Sequence, residues 1–349
     1  MRTKKHIYGL DVLRAVAILS VVLHHFLLMF RSKLGVEEST VRLFKLDGVT
    51  IFFVLSGYLI GSILLRQLDK GFGLPDLRQF WIRRWLRTLP AYFVVLLAIF
   101  GQLFWYRGWS DQYPRYFLFL QCIHDGKAVL YPESWSLCVE EWFYLLIPIA
   151  VLLLPAARRK NGILAGLLVV IILSAALRVW DLMPGKYEVY KSSGLHRRTF
   201  ARMDGIAFGV LAAWMHYYRP VQRKKMLFWS GIALCLLMQA QFYLFGENLI
   251  AHYCWYTLVP LSIMMMIPYV ATITEGRGPF ARFLSFTALI SYPLYLIHWT
   301  PFFQLALVRL HFLPVPAQVL LFVTWAYGGA YVLHRLVERP FMALRERWS

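Results

Sequence analysis

The sequence predicts an all-α, polytopic membrane protein with about ten transmembrane helices. Three observations support this fold class: 59% of the 349 residues are hydrophobic, the mean hydropathy is +0.55, and apolar segments long enough to span a bilayer recur along the chain. The formal net charge of +19 is typical of some nucleic-acid-binding proteins. In so apolar a chain, the charge instead indicates basic loops on the inner face of a membrane, and we expect no nucleic-acid partner.

The predicted spans follow one another through short connections, and we expect both termini on the cytoplasmic side. With that orientation, the inner segments carry 22 of the 37 Lys and Arg residues and the outer loops carry 13. The sequence has no internal repeat and no loop long enough to fold alone, so residues 1–349 are predicted to form a single membrane-embedded domain. The predicted spans are 9–30, 46–65, 89–106, 137–155, 162–180, 203–217, 227–245, 251–272, 287–308 and 316–336.

The first span carries ionisable residues on one helix face. Arg14 and His25 are eleven residues apart, which places both on the same face, about 16 Å apart along the helix axis. Asp11 lies within about 60° of that face. Ionisable side chains inside a span are costly, so this face is a candidate functional site. The alternatives are a snorkelling side chain for Arg14 and a structural hydrogen bond for His25.

Arginines precede the third span, on a segment that is predicted to be cytoplasmic. Arg83, Arg84 and Arg87 lie on neighbouring turns of one helix. The forked guanidinium group suits phosphate oxygens, so these residues are candidate ligands of a phosphorylated substrate. The alternative is a patch that binds anionic lipid headgroups.

The fourth span begins with two adjacent glutamates, Glu140 and Glu141, shortly after Trp135. On the predicted topology they enter from the outer face, which is also the side of His25. A carboxylate there would orient His25 and stabilise its protonated form. The alternative is that both glutamates are solvated charges at the interface.

Two glycine pairs with GxxxG spacing, Gly57/Gly61 and Gly205/Gly209, indicate close helix packing. Asp204 precedes the second pair, and an acid at the head of a span requires a partner or water.

The ninth span contains Tyr292, Tyr295 and His298, and the last two share a helix face. We interpret these polar residues as the lining of a cavity, with a structural hydrogen-bond network as the alternative. Pro293 is expected to kink this helix.

The four cysteines show no CxxC spacing and no paired histidine, so no metal site is predicted. Cys122 and Cys138 flank one loop, which leaves open a disulfide outside the membrane.

Taken together and in order, these motifs resemble the acyltransferase-3 family of integral membrane proteins, over nearly the whole chain. The motifs are Leu-Asp-x-Leu-Arg with Arg-x10-His (10–25), Gly-Val-Thr-Ile-Phe-Phe-Val-Leu-Ser-Gly (48–57), Arg-Arg-x-x-Arg-x-x-Pro (83–90), Trp-Ser-Leu-x-x-Glu-x-x-Phe-Tyr (135–144), Asp-Gly-x-x-x-Gly (204–209), Ser-Tyr-x-Leu-Tyr-x-x-His (291–298) and Glu-Arg-Pro (338–340).

The resemblance implies a multi-pass O-acyltransferase of the bacterial inner membrane. It would move an acyl group, usually acetyl, from cytoplasmic acetyl-CoA or another acyl-CoA to a hydroxyl of a cell-surface or lipid-linked glycan. The acceptor is alternatively a small secondary metabolite, and a separate acyl-accepting partner protein is left open. Some relatives carry an additional periplasmic esterase-like domain. This chain ends soon after Glu338-Arg-Pro, so we expect no such domain.

On this interpretation the candidate site residues fall into three groups. His25, Arg14 and Glu140 are the candidate catalytic residues, with His25 acting as general base or becoming transiently acylated. The second group, which would bind the phosphates of acyl-CoA, is Arg83, Arg84 and Arg87. The candidate substrate-binding residues are Asp11, Ser56, Trp135, Asp204, Tyr292 and His298. The competing class is a membrane transporter with a polar midplane cavity.

Overall fold

Helices joined by short turns make up the structure, a computed structural model that describes residues 7–43, 46–124, 128–155, 159–181, 197–245 and 249–347. No strand occurs in these ranges. The helices are α1 (Tyr8–Leu34), α2 (Glu38–Leu43), α3 (Gly48–Leu68), α4 (Leu74–Arg107), α5 (Tyr113–Phe117), α6 (Trp135–Leu153), α7 (Arg159–Asp181), α8 (Met203–Tyr218), α9 (Lys224–Phe245), α10 (Leu249–Val270), α11 (Gly278–Leu289), α12 (Ser291–Ile297), α13 (Pro301–Arg309) and α14 (Val315–Glu346).

Local chemistry fixes several helix ends near the site. Helix α1 ends at Gly35, whose φ of 63° is the left-handed conformation that glycine adopts most readily. Helix α3 begins after Asp47, whose carboxylate accepts a hydrogen bond from the Thr50 backbone N–H at 3.0 Å. Helix α4 begins with Pro75 in its first turn, where the missing N–H has no intrahelical acceptor.

The prediction of an all-α polytopic membrane protein is confirmed. Within the described residues, eight helices are long and apolar enough to cross a membrane, or nine if the bent pair α11–α12 counts as one span. Helix α8, which corresponds to the predicted span 203–217, has only 16 residues. The cytoplasmic position of the termini stays a prediction.

The predicted span 287–308 is kinked, as expected, and it is also interrupted a second time. The chain bends by 59° between α11 and α12, and it breaks again before α13. The bend lies at Ile290, ahead of Pro293, which sits in the first turn of α12. A proline lacks the N–H that would bond to the carbonyl four residues back, and its ring clashes with that carbonyl, so the bend between Leu289 and Pro293 agrees with the kink expected from Pro293.

Both glycine pairs act as the GxxxG pattern predicts, in the contact between α3 and α8. A Cβ atom on Gly57 would lie 2.1 Å from the carbonyl oxygen of Ile206, and one on Gly209 would lie 2.1 Å from that of Val54. The two backbones therefore touch directly, and α3 and α8 form one tightly packed wall of the bundle.

A buried ion pair joins α7 to α8. Arg178 donates to the Asp204 carboxylate at 2.6 Å, to the Ala201 carbonyl at 2.5 Å and to the Thr257 hydroxyl at 2.8 Å. Both charged side chains are 1% exposed. The prediction that Asp204 binds substrate is therefore not supported, because its carboxylate is occupied by a structural partner.

The cysteines are free thiols in the structure. Cys122 and Cys138 are both buried, so the disulfide that was left open for them is not formed.

Candidate active site

A cavity with a volume of about 910 Å³ lies between α1, α3, α4, α6, α8 and α12. On α3 it extends from Val49, in the first turn, to Arg66, near the other end. That is a length of about 26 Å at 1.5 Å per residue. The cavity thus runs along most of one span, as a route through the membrane requires.

The charge of this cavity is strongly positive. Among the lining residues that the structure describes, Glu140 is the only acid. The lining cations are Arg14, Arg66, Lys70, Arg83, Arg84, Arg87 and Arg345. We call this space the cationic cavity. Such an excess of one charge in a low-dielectric setting favours an anionic ligand.

One of these cations is already neutralised by the protein. Arg84 donates to the Glu140 carboxylate, and its guanidinium lies 4.2 Å from the ring centre of Tyr144. The Tyr144 hydroxyl also donates to Glu140, at 3.1 Å, and it pairs with Ser56. Arg84, Glu140, Tyr144 and Ser56 therefore form one network in the cavity wall.

The surroundings of Arg87 differ from those of Arg84. The structure gives Arg87 no hydrogen bond or ion pair among the described residues. The charges that act on it are Arg14, Arg84 and Arg345, which repel it, and the carboxylates of Glu338 and Glu140, which attract it. Arg14 is paired with Asp11 at 3.0 Å. Like charges held together in a partly buried space repel one another, and a bound anion would relieve that repulsion.

Beyond one end of the cavity lies a pair of histidines. Tyr295 and Ser136 line the cavity, and their hydroxyls are 2.7 Å apart. The Tyr295 ring is 6.0 Å from the ring of His298, centre to centre. The Nε2 atom of His298 is in turn 2.7 Å from Nδ1 of His25. Tyr295 therefore separates the cationic cavity from the histidine pair.

Hydrogen bonding sets the tautomers of the two rings when both are neutral. The Nδ1 atom of His298 faces the carbonyl oxygens of Tyr295, at 2.9 Å, and Leu294, at 3.1 Å. A carbonyl only accepts, so this nitrogen carries the proton and Nε2 of His298 is an acceptor. His25 then donates through Nδ1, and its Nε2 has a free lone pair. That is the state that a general base requires.

Packing holds the His25 ring in place. It is stacked between His298, at 4.9 Å, and Trp299, at 4.8 Å, with interplanar angles of 26° and 29°. His298 is fully buried.

The expectation that Glu140 orients His25 is wrong, because His298 holds that position. Glu140 lies one helical turn beyond Ser136 on α6, and its carboxylate is bound by Arg84 and Tyr144. The prediction had treated the two residues as neighbours because both were assigned to the outer half of the membrane.

Comparison with known proteins identifies the family of this chain. The family model described as "Acyltransferase domain" matches residues 7–335.

The chain belongs to the acyltransferase domain family.

This membership confirms the resemblance drawn from the motifs and makes the protein an acyltransferase by family. The chain is 29% identical over 325 residues to "Peptidoglycan O-acetyltransferase OatA" of Listeria monocytogenes, which covers 85% of this chain and 49% of that protein. It is 30% identical over 232 residues to "Putative O-acetyltransferase SACOL0978" of Staphylococcus aureus, covering 60% of this chain and 35% of the relative.

A third relative is "Putative peptidoglycan O-acetyltransferase YrhL" of Bacillus subtilis, 31% identical over 229 residues, or 60% of this chain and 34% of the relative. The chain thus spans between about a third and a half of the length of these relatives. No solved structure matches it.

In this acyltransferase, most of the residues predicted from the sequence meet at one site. The cationic cavity is lined by Arg14, Ser56, Arg83, Arg84, Arg87, Glu140 and Tyr292, and His25 and His298 lie beyond Tyr295. Tyr292 is anchored by donating to the Thr88 carbonyl at 2.7 Å.

Three predicted substrate ligands do not reach the cavity. Asp204 pairs with Arg178, and Asp11 pairs with Arg14. Trp135 packs against Phe53 at 5.8 Å and under the Arg202 guanidinium at 5.5 Å. Asp204 and Trp135 were predicted from their place at the head of a span, which does not indicate the direction in which the side chain points, whereas Asp11 was predicted from its helix face and contacts Arg14 rather than the cavity.

The sequence analysis also missed residues of the acyltransferase site. Arg66, Lys70 and Arg345 were counted only as basic residues of inner segments, although all three line the cavity. Glu133 was not singled out either. It is buried, its backbone carbonyl accepts from the Tyr295 hydroxyl at 2.9 Å, and its Oε2 atom has no partner among the described residues. In the sequence, the one signal for this residue was an acid two positions before Trp135.

Proposed function

We propose that this chain is a membrane O-acetyltransferase that takes an acetyl group from cytoplasmic acetyl-CoA and transfers it to a glycan hydroxyl on the opposite side of the bacterial inner membrane. The observation that carries the proposal is the cationic cavity, about 910 Å³ in volume, which leads to Tyr295 and the His25–His298 pair behind it. An anionic donor with a long arm fits such a space, because its charged end and its reactive end lie far apart.

The donor's diphosphate is held by the unneutralised arginines of the cavity. Arg87 has no partner of its own among the described residues, and Arg83 and Arg345 line the same space. Each guanidinium presents several N–H donors to phosphate oxygens. Arg84 contributes less, because Glu140 already takes its charge. Arg14 contacts the donor farther along the same wall.

The donor's uncharged arm lies against apolar side chains and brings the thioester towards Tyr295. Phe52 and Leu55 on α3 and Leu137 on α6 line this part of the cavity. Phe52 contacts the Tyr295 ring edge-to-face at 6.3 Å. Transfer requires the Tyr295 side chain to move aside, so that the thioester carbon meets the acceptor beside His25.

His25 acts as the general base through Nε2. It takes the proton of the acceptor hydroxyl as the oxygen forms a bond to the thioester carbon. The C–S bond then breaks, and the leaving thiolate takes the proton back from His25. His298 stabilises the imidazolium by accepting from Nδ1 of His25 at 2.7 Å. The alternative route, in which His25 is transiently acylated, uses the same free lone pair.

Peptidoglycan is the proposed acceptor, because two relatives carry it in their names. The inner-membrane location and the cytoplasmic termini belong to the same proposal. They are supported by the excess of Lys and Arg on the predicted inner segments, which include Arg66, Arg83 and Arg345 at the cavity.

The test is acetyl transfer from labelled acetyl-CoA in membranes that contain the His25→Ala variant. We expect a loss of at least about 100-fold, the usual contribution of a general base. His24→Ala is the matched control, because its side chain leaves the helix about 100° away from His25, and it should retain transfer. Unchanged transfer by His25→Ala would rule out this mechanism.

A further inference from the structure

The cations of the cavity fall into two groups. The first group surrounds Arg87, whose nearest charges include Arg14, Arg84 and Arg345. The second consists of Arg66 and Lys70, at the end of α3, where Arg66 interacts with Tyr58 and Tyr217. Arg66 is ten residues, or about 15 Å, from Ser56 in the wall of the inner part. The second group therefore stands at the mouth of the cavity.

Asp69, the acid nearest in sequence to Arg66 and Lys70, is hydrogen-bonded to tyrosines. The Asp69 carboxylate accepts hydrogen bonds from the hydroxyls of Tyr217, at 2.6 Å, and Tyr218, at 3.1 Å. Arg66 donates only through Nε, to the Ser62 carbonyl at 2.7 Å, so its two terminal nitrogens have no partner among the described residues. Tyr217 and Tyr218 thus occupy the Asp69 carboxylate, which forms no ion pair with Arg66 or Lys70 among the described residues, and both exposed cations remain accessible to a ligand.

We propose that Arg66 and Lys70 form a phosphomonoester subsite, which binds the 3′-phosphate on the ribose of the acyl-CoA donor. The inference rests on the proposed function. Acyl-CoA carries two separate phosphate groups, a diphosphate that leads to the reactive arm and a monoester on the ribose. Two groups of cations in one cavity match that pattern. The monoester carries nearly two negative charges at neutral pH, which suits a pair of cations.

The subsite selects for the donor at its nucleotide end. Arg66 and Lys70 are exposed, so their attraction for phosphate is screened by salt and is smaller than that of the half-buried arginines farther inside the cavity. We expect the unmodified protein to show a KM for acetyl-CoA about three- to tenfold lower than for acetyl-dephospho-CoA at low ionic strength. The difference should shrink as salt is added.

The experiment compares both donors with the purified protein in nanodiscs of neutral lipid. The double variant Arg66→Gln/Lys70→Gln should raise the KM for acetyl-CoA to the value for acetyl-dephospho-CoA. The KM for acetyl-dephospho-CoA and both kcat values should stay unchanged. Lys225→Gln is the control, because Lys225 is exposed at the start of α9 and does not line the cavity. It should leave both KM values unaltered.

Distinct outcomes separate the failures. Equal KM values for the two donors in the unmodified protein, or an equal rise for both in the double variant, would overturn the subsite. An effect of the double variant that is seen only in nanodiscs containing anionic lipid would assign these cations to lipid headgroups instead and overturn it as well. Transfer from neither donor by the unmodified protein would overturn the proposed function itself.

Discussion

Arg178 and Arg87 are the same residue type in two helices of one bundle, yet their surroundings are opposite. Arg178 is 1% exposed and donates to Asp204, Ala201 and Thr257. Arg87 lines a cavity, has three arginines and Glu338 among its charged neighbours, and forms no hydrogen bond or ion pair in the described chain. The first contributes to the fold, whereas the second is arranged for a ligand. The cost of an arginine in a membrane protein is met by internal partners at Arg178, and on the proposed function it is met by a substrate at Arg87.

The largest effect is expected for Arg178→Met. Removing the guanidinium leaves the Asp204 carboxylate buried without its partner, which should lower the free energy of unfolding by about 3–5 kcal/mol. Thermal unfolding in detergent measures this loss. The double variant Arg178→Met/Asp204→Asn removes both charges and should regain a large part of the stability. If Arg178→Met unfolds like the unmodified protein, the ion pair has no structural role and the contrast with Arg87 fails.

An intermediate effect is expected for Glu140→Gln, because Arg84 lines the cavity but has an internal partner. The substitution removes a charge-assisted hydrogen bond between buried groups and should cost about 1.5–3 kcal/mol. A double-mutant cycle with Arg84→Gln sharpens the comparison. The two changes should be strongly non-additive in unfolding free energy. Simple additivity would show that Arg84 and Glu140 act separately, and Arg84 would then belong with Arg87.

The smallest effect on stability is expected for Arg87→Gln. It removes one of several repelling charges, so the melting temperature should stay the same or rise. The KM for acetyl-CoA should rise about tenfold or more, the value of a charge-assisted contact to phosphate. Arg78→Gln, on the same helix but outside the cavity, serves as the control and should leave the KM unaltered. A destabilised Arg87→Gln variant with normal KM would place Arg87 in the structural class.

The sequence predicted the fold class well because hydropathy depends on composition, which the ten apolar segments display directly. The sequence did not predict the angle at which a span bends or the second break in the ninth span. The span 287–308 is bent by 59° at Ile290, and hydropathy does not indicate the direction of a helix axis. The site was predicted in a similar way. The shared face of Arg14 and His25 follows from helix geometry, whereas the partner of His25 depends on how distant helices pack.

The packing of distant helices determines whether Glu140 or His298 lies next to His25. Glu140 was assigned to the outer face of its span and His298 to the polar lining of the ninth span, so the sequence did not show which of the two reaches His25. The packing of α12 against α1 brings His298 to 2.7 Å from His25. The mouth residues Arg66 and Lys70 were missed for the opposite reason. Basic residues are common at the cytoplasmic ends of helices, and only the cavity distinguishes these two from the others.

The contact between α3 and α8 divides the bundle into a stiff part and a deformable part. No side chain lies between the backbones at Gly57 and Gly209, so that wall has no rotamers with which to adapt to a guest. The chain on the other side, from Gly278 to Arg309, is interrupted twice and carries Tyr295 between its breaks. Short helices joined at breaks turn as rigid pieces about a few backbone torsions. Tyr295, which the proposed transfer requires to move, therefore lies on the interrupted part of the bundle and not on the tightly packed wall.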